Sequence, residues 1–341
     1  MRCKFRERAA VYHCMSRTVN GDKVFGDRER EMLKQMIWRV AAFSGVHILT
    51  YCVMPNHFHV LVSVIPESEV SDAELVNRCA ALYPEHSPYA TLRPSFVQSV
   101  LKADGREAEL LRKRLRARMG DVSMFMKTLK QRFTTWFNAH HVRYGPLWSD
   151  RFKSVLVQST GNRFAMLTTA AYIDLNPVRA GLCEDPKDYQ WSGYGEAVAG
   201  RACAKSGLQW VMDGKPADEP EKDKATDAGS ALARYRICLF GKGTSAKEGK
   251  AGIAPEAYKK VLAQHGTLSK LEIHKHYMRH ITDGAIFGAE AFVAELVGMW
   301  KGCAQNRTSP APLKLDPYGE FPGPFDLAIV KRLRERRIEH D

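Results

Sequence analysis

Two apolar, β-branched runs separated only by Pro55-Asn56 constrain this chain most: VHILTYCVM at 46–54 and HFHVLVSVI at 57–65. Runs of that length and composition are strands, and a two-residue break between them makes an antiparallel hairpin. A hairpin so poor in polar residues has to be covered by other elements. The flanking sequence supplies them. Residues 8–16 read as a preceding strand that ends at the turn-like Val19-Asn20-Gly21-Asp22. From Asp27 to Phe43, Met32, Leu33, Met36, Ile37, Val40 and Ala41 recur at helical spacing up to Ser44-Gly45. Asp121 is placed to cap a helix running to about residue 139, with Met124, Phe125, Leu129, Phe133, Trp136 and Phe137 on one side. A short strand at 152–158 and a helix from 163 to 175, closed by Asn176-Pro177, complete the series. The order β-α-β-β-α-β plus one helix predicts an α+β, ferredoxin-like fold: an antiparallel sheet with helices on one face.

Composition divides the rest. Residues 1–200 are expected to form the main domain, with a polar, Arg-rich insertion at 66–120; 201–250 read as a linker and 251–341 as a mostly helical extension. In that extension 255–263, 269–280 and 289–300 have the pattern of three short helices, which suits either a DNA-binding module or a small packing domain. The basic stretch 331–337 adds to the charge. With 51 Lys+Arg against 38 Asp+Glu the chain carries +13, a balance that favours a polyanionic partner, nucleic acid first and anionic membrane second. No apolar run approaches the roughly 18 residues of a membrane span, and a charged N-terminus is no secretion signal, so a cytoplasmic location is expected. The eight scattered cysteines form no C-x-x-C pair and are expected to be reduced structural thiols.

Two short patterns have chemical potential. In His57-Phe58-His59 the histidines fall on one strand face, about 7 Å apart, and Phe58 on the other. Two imidazoles so placed suit a shared divalent ion, although an H-x-H pair by itself is equally at home as surface or core histidines. Tyr172 and Asn176, four apart, project a phenol and an amide from one helix face. A buried tyrosine before a helix-ending Asn-Pro gives the same pattern.

Taken together, Met54-Pro55-Asn56-His57-Phe58-His59-Val60-Leu61-Val62, Gly145-Pro146-Leu147-Trp148 with Arg151-Phe152-Lys153-Ser154, and Tyr172-Ile173-Asp174-Leu175-Asn176-Pro177-Val178-Arg179-Ala180-Gly181-Leu182 strongly resemble the REP-associated tyrosine transposases, single-tyrosine members of the HUH nucleases. Tyr12-His13-Cys14-Met15-Ser16-Arg17 resembles the opening strand of that family. The resemblance covers roughly residues 8–195. It implies an HUH nuclease fold, His57, His59 and Asn176 as ligands of Mg²⁺ or Mn²⁺, and Tyr172 as the nucleophile. By the same resemblance, single-stranded or palindromic hairpin DNA is cut and rejoined through a 5′-phosphotyrosine. Phosphate contacts are expected from Arg17, Lys127, Lys130, Arg132, Arg151, Lys153 and Arg179, and Trp148 is available for base stacking, although by itself it suits a core position better. The alternative is a non-catalytic hairpin-binding or regulatory protein on a transposase fold; the presence of all four chemical residues argues against it. Truncation after about residue 215 is expected to leave cleavage measurable.

Overall fold

A computed structural model describes residues 9–65, 70–159, 164–214, 229–244 and 251–269, and the backbone of three short strands beyond them. Strands β1 (Ala10–Arg17), β2 (Val46–Val53), β3 (His57–Val64) and β4 (Lys153–Val157) form one antiparallel sheet in the order β2-β3-β1-β4, the ferredoxin-like order. Helix α1 (Asp27–Ser44) joins β1 to β2, and α5 (Val122–His140) lies between β3 and β4. The sequence dictates both helices locally. The Glu29 carboxylate accepts from Gly26 N at 2.9 Å to start α1, and Gly45, at φ 64°, ends it in the left-handed region that glycine tolerates. Asp121 accepts from the amides of Ser123 and Met124 to start α5. The two helices cover one face of the sheet, where Phe25, Phe58, Phe133 and Trp148 meet edge-on or tilted with centroids 5.4–5.8 Å apart.

The other face is covered as well, by helices that a minimal ferredoxin-like unit lacks. Helix α6 (Phe164–Asp174) crosses β2 and β3, and α8 (Gly193–Val198) and α9 (Ala202–Asp213) pack on β2. β2 carries a bulge between Ile48 and Thr50. Gly207 of α9 approaches the exposed carbonyls there so closely that a Cβ would lie 2.5 Å from Ile48 O and 2.6 Å from Leu49 O; one on Gly193 would meet Thr50. Val53 N donates to Trp191 O, so the free edge of β2 is capped, while the β4 edge leaves Lys153 and Val155 exposed.

The insertion folds as helices α2 (Asp72–Leu82), α3 (Pro94–Ala103) and α4 (Arg106–Arg116), with Leu75, Cys79, Val97, Leu101, Ala108 and Leu115 buried between them. Much of its basic run is used internally. Arg112 forms a two-pronged pair with Asp72, Arg116 donates to Val70 O, and Arg118 donates to Tyr83 Oη across the Phe43 ring.

The stretch 201–250, expected as a linker, contains α9 and a further helix, α10 (Ala231–Gly243), which packs on α9 and α6. The apolar residues responsible, among them Leu208, Trp210, Val211, Leu232, Tyr235 and Leu239, are buried, but they are interleaved with Gly, Lys and Asp that mask their helical period. Helix α11 (Pro255–Ala263) follows where expected. The chain divides into units 1–267 and 268–341. In the second, β5 (Ile286–Ala289), β6 (Leu313–Leu315) and β7 (Leu327–Val330) pair antiparallel in the order β5-β7-β6. The expected helices at 269–280 and 289–300 lie almost wholly outside the described residues, as does the basic tail; Ala289 itself ends a strand. Among the described residues no helix is long and apolar enough to cross a membrane, and six cysteines are free thiols.

Because α9 rests on the bulge carbonyls without room for a methyl group, Gly207→Ala should lower the unfolding free energy by about 1–3 kcal/mol, measured by urea denaturation. A change indistinguishable from zero would mean that α9 does not pack this tightly.

Candidate functional site

Alternation along β3 separates two environments. Phe58 faces the aromatic core, and His57 and His59 face α6. Each histidine has a partner for one ring nitrogen. His57 Nδ1 lies 2.6 Å from Asn56 Oδ1, while the Asn56 amide nitrogen donates to Gly21 O at 2.7 Å. The Asn56 oxygen can only accept, so His57 donates from Nδ1–H and keeps a bare lone pair on Nε2. His59 Nδ1 lies 2.9 Å from Nε2 of His13, on β1, with the two rings stacked. When His59 donates in that pair, its Nε2 is bare too. Both arrangements orient an imidazole as the outer partner of a ligating histidine does.

Electrostatics favour the neutral rings. Burial, then the nearby Arg17 charge, pushes His57 down to about 4. Burial, followed by His13, His57 and Arg17, pushes His59 down to about 2. His13 is also lowered by burial. At neutral pH a metal ion therefore need not displace a proton from these nitrogens.

Tyr172, near the end of α6, closes the group. Its ring centroid lies 5.7 Å from that of His59 and 6.2 Å from that of His13, and the Arg179 guanidinium is 5.3 Å from the ring centre. At 43% exposure it is accessible where its neighbours Ala171 and Ile173 are buried. The helix breaks at Leu175 and restarts as α7 (Asn176–Arg179). Asn176 Nδ2 donates to the carbonyls of Tyr172 and Ile173, at 2.9 and 3.3 Å, which caps α6 and assigns the amide oxygen to the acceptor role. Two imidazole nitrogens and one amide oxygen are a donor set that suits Mg²⁺ or Mn²⁺. Among the described residues no group of three His, Cys, Asp or Glu forms a metal cluster.

The expected DNA-contact residues divide in two. Arg17, at the site end of β1, Lys127, Arg151 and Lys153 are exposed, and Arg179 borders Tyr172. Trp148 is not a stacking platform: it is 9% exposed, wedged among Phe25, Phe58 and Phe133, and donates its indole N–H to Lys130 O. Arg132 lies over the rings of Tyr83 and Tyr89 and donates to Leu82 O, holding the insertion to α5. Lys130 donates to Asp150 O. Two functional neighbours were not singled out by sequence, His13 and Asn56. Their signals were present, since His13 alternates with Met15 on the first strand and Asn56 precedes the histidine pair.

Residues 8–81 match the family model described as transposase, IS200 like. This part of the chain is similar to that family. The matched segment runs from β1 into α2 and so includes His13, Asn56, His57 and His59, but ends before Tyr172. A solved structure of a REP-associated tyrosine transposase bound to a REP hairpin is also similar, at 16% identity over 59% of this chain and 86% of that one, with a TM-score of 0.37. No curated protein matches the chain.

The depressed histidines of β3 give a pH dependence. Their folded-state values lie below the ordinary 6.5, so the stability they contribute is complete above pH 6.5 and is lost as pH falls below it, down to about 4 for His57 and about 2 for His59. In chelator-treated protein the urea midpoint of the wild type should fall more steeply across that window than that of the His57→Gln, His59→Gln double variant. Parallel profiles would contradict the assigned protonation.

Proposed function

We propose that the chain is a transposase that cuts and rejoins single-stranded or hairpin DNA, with Tyr172 as covalent nucleophile and His57, His59 and Asn176 as ligands of a divalent ion, Mg²⁺ or Mn²⁺. The observation that carries this proposal is the meeting of an accessible tyrosine with two neutral histidines whose outer nitrogens are already occupied by hydrogen-bond partners. The IS200-like match over the histidine-bearing half supports it.

In this mechanism Tyr172 Oη attacks the scissile phosphorus. A phosphorus–oxygen bond to the tyrosine forms, the bond to the 3′ oxygen breaks, and the strand is left with a 5′-phosphotyrosine and a free 3′-OH. The phenolic proton passes to water at the open face of the ring, and the departing 3′ oxygen takes up a proton from water. A divalent ion held by His57, His59 and Asn176 would supply charge neutralisation and polarisation at the scissile phosphate. Arg179 and Arg17, on either side of the cluster, provide cations for the flanking phosphates. Attack of a 3′-OH on the phosphotyrosine reverses the sequence, so rejoining needs no ATP. Asn56 and His13 hold His57 and His59 in the ligating tautomers.

Tyr172→Phe removes one oxygen and keeps the ring. A structural tyrosine would lose a hydrogen bond worth about 1 kcal/mol and leave chemistry intact, whereas loss of the nucleophile abolishes cleavage. With hairpin DNA and Mn²⁺, the expected result is no cleavage by Tyr172→Phe, none by His57→Ala with His59→Ala, and hairpin binding retained in both. Cleavage by either variant would contradict the proposal.

A further inference from the structure

We propose that Asp174, Thr50 and Tyr235 form a buried clamp that positions the Tyr172 helix, which makes the segment beyond residue 215 part of the cleaving unit. The inference deepens the proposed function and rests on Tyr172 being the nucleophile.

Asp174 lies two residues after Tyr172 and is fully buried. Its carboxylate is gripped from three elements. Thr50 Oγ1 of β2 donates across both oxygens, at 2.9 Å to Oδ1 and 3.0 Å to Oδ2. Tyr194 N, in the first turn of α8, donates to Oδ1 at 3.2 Å, and Tyr235 Oη of α10 donates to Oδ2 at 2.6 Å. None of these partners carries a positive charge. The nearest arginine in α10, Arg236, is committed to Asp185 and to Tyr194 Oη. Burying a carboxylate on neutral donors is a poor way to gain stability compared with an apolar side chain. It is an effective way to fix orientation, because each hydrogen bond requires its own distance and direction.

The clamp adds a directional constraint that apolar packing of α6 does not supply. The last turns of α6 bury Ala170 and Ala171 beside Ile173, apolar contacts that hold the helix on the sheet without the directionality of a hydrogen bond, and Tyr172 itself is too exposed to be held by packing. Residues 172 and 174 stand about 200° apart round a helix. Pinning Asp174 to β2 and α10 therefore turns Tyr172 the other way, toward His59 and His13, where its ring is found. Lys242 of α10 donates to Thr168 Oγ1 at 3.0 Å, a second tie between the same two helices. Truncation after residue 215 removes α10 and with it the Tyr235 hydroxyl, so it should slow the chemical step itself.

The test uses the full-length chain, a hairpin DNA and Mn²⁺, and follows covalent adduct formation in single turnovers at saturating DNA, with hairpin affinity measured in parallel. Tyr235→Phe and Thr50→Val should each slow adduct formation roughly 10- to 100-fold, the scale of effect of a small misplacement of a reacting group, with hairpin affinity unchanged. Thr50→Ser, which keeps the hydroxyl, should restore the rate. Wild-type rates in Tyr235→Phe and Thr50→Val would overturn the clamp alone. So would a loss of affinity in step with the loss of rate, since that is general structural damage. A wild-type chain that forms no adduct would overturn the nucleophile assignment and, with it, the clamp as a positioning device.

Discussion

β3 is buried on both faces, and its two-residue period assigns a different chemistry to each. Phe58, Val60 and Val62 face the helical layer of α1 and α5, while His57, His59 and Leu61 face α6. A slip of one residue would put imidazoles into the aromatic core and Phe58 against Tyr172, so register is under strong control. The tight connection provides it. Met54 N donates to His57 O at 2.8 Å, and Thr18 N and Phe25 N donate to the carbonyls of Asn56 and Pro55. The loop that fixes register thus also delivers Asn56 to His57.

Opposite this strand, the structure accepts an electrostatic cost. Burial pushes the Asp174 carboxyl up to about 7, against the hydrogen bonds from Tyr235, Thr50 and Tyr194 that pull it down. Neutral histidines and an acid without a counter-ion leave the interior between sheet and α6 poor in formal charge, while Arg17, Arg151, Lys153 and Arg179 lie at or near its surface. That separation suits a phosphate backbone approaching from outside, where cations would meet it beside the accessible Tyr172 ring and above the neutral histidines.

What could be read in the sequence was what depends on nearby residues. The hairpin, the α1 pattern, the Asp121 cap and the ferredoxin-like element order are all local, and the structure contains them within a residue or two. The pairing of His57 with His59 follows from strand period alone. Long-range partners were not legible. Thr50 and Asp174 are 124 residues apart, and Tyr235 is another 61 further on, so neither the clamp nor the packing of α9 and α10 has a local signature. Side-chain type does not decide a role that surroundings set: Trp148, which suits core and stacking positions alike, fills the aromatic core, and Arg132 lies on two tyrosines of the insertion. Short strands pairing across Ile286–Ala289, Leu313–Leu315 and Leu327–Val330 were likewise invisible to a search for helical spacing.

The central claim is that the accessible phenol beside the histidine pair forms the bond to DNA. Its most direct test is to denature a reaction of the full-length chain with hairpin DNA and Mn²⁺, digest with protease and nuclease, and locate the residual nucleotide by mass spectrometry. The account predicts a phosphonucleotide on Tyr172. A nucleotide mapped to Tyr144, Tyr189 or Tyr194, or cleaved DNA with no modified peptide, would contradict it.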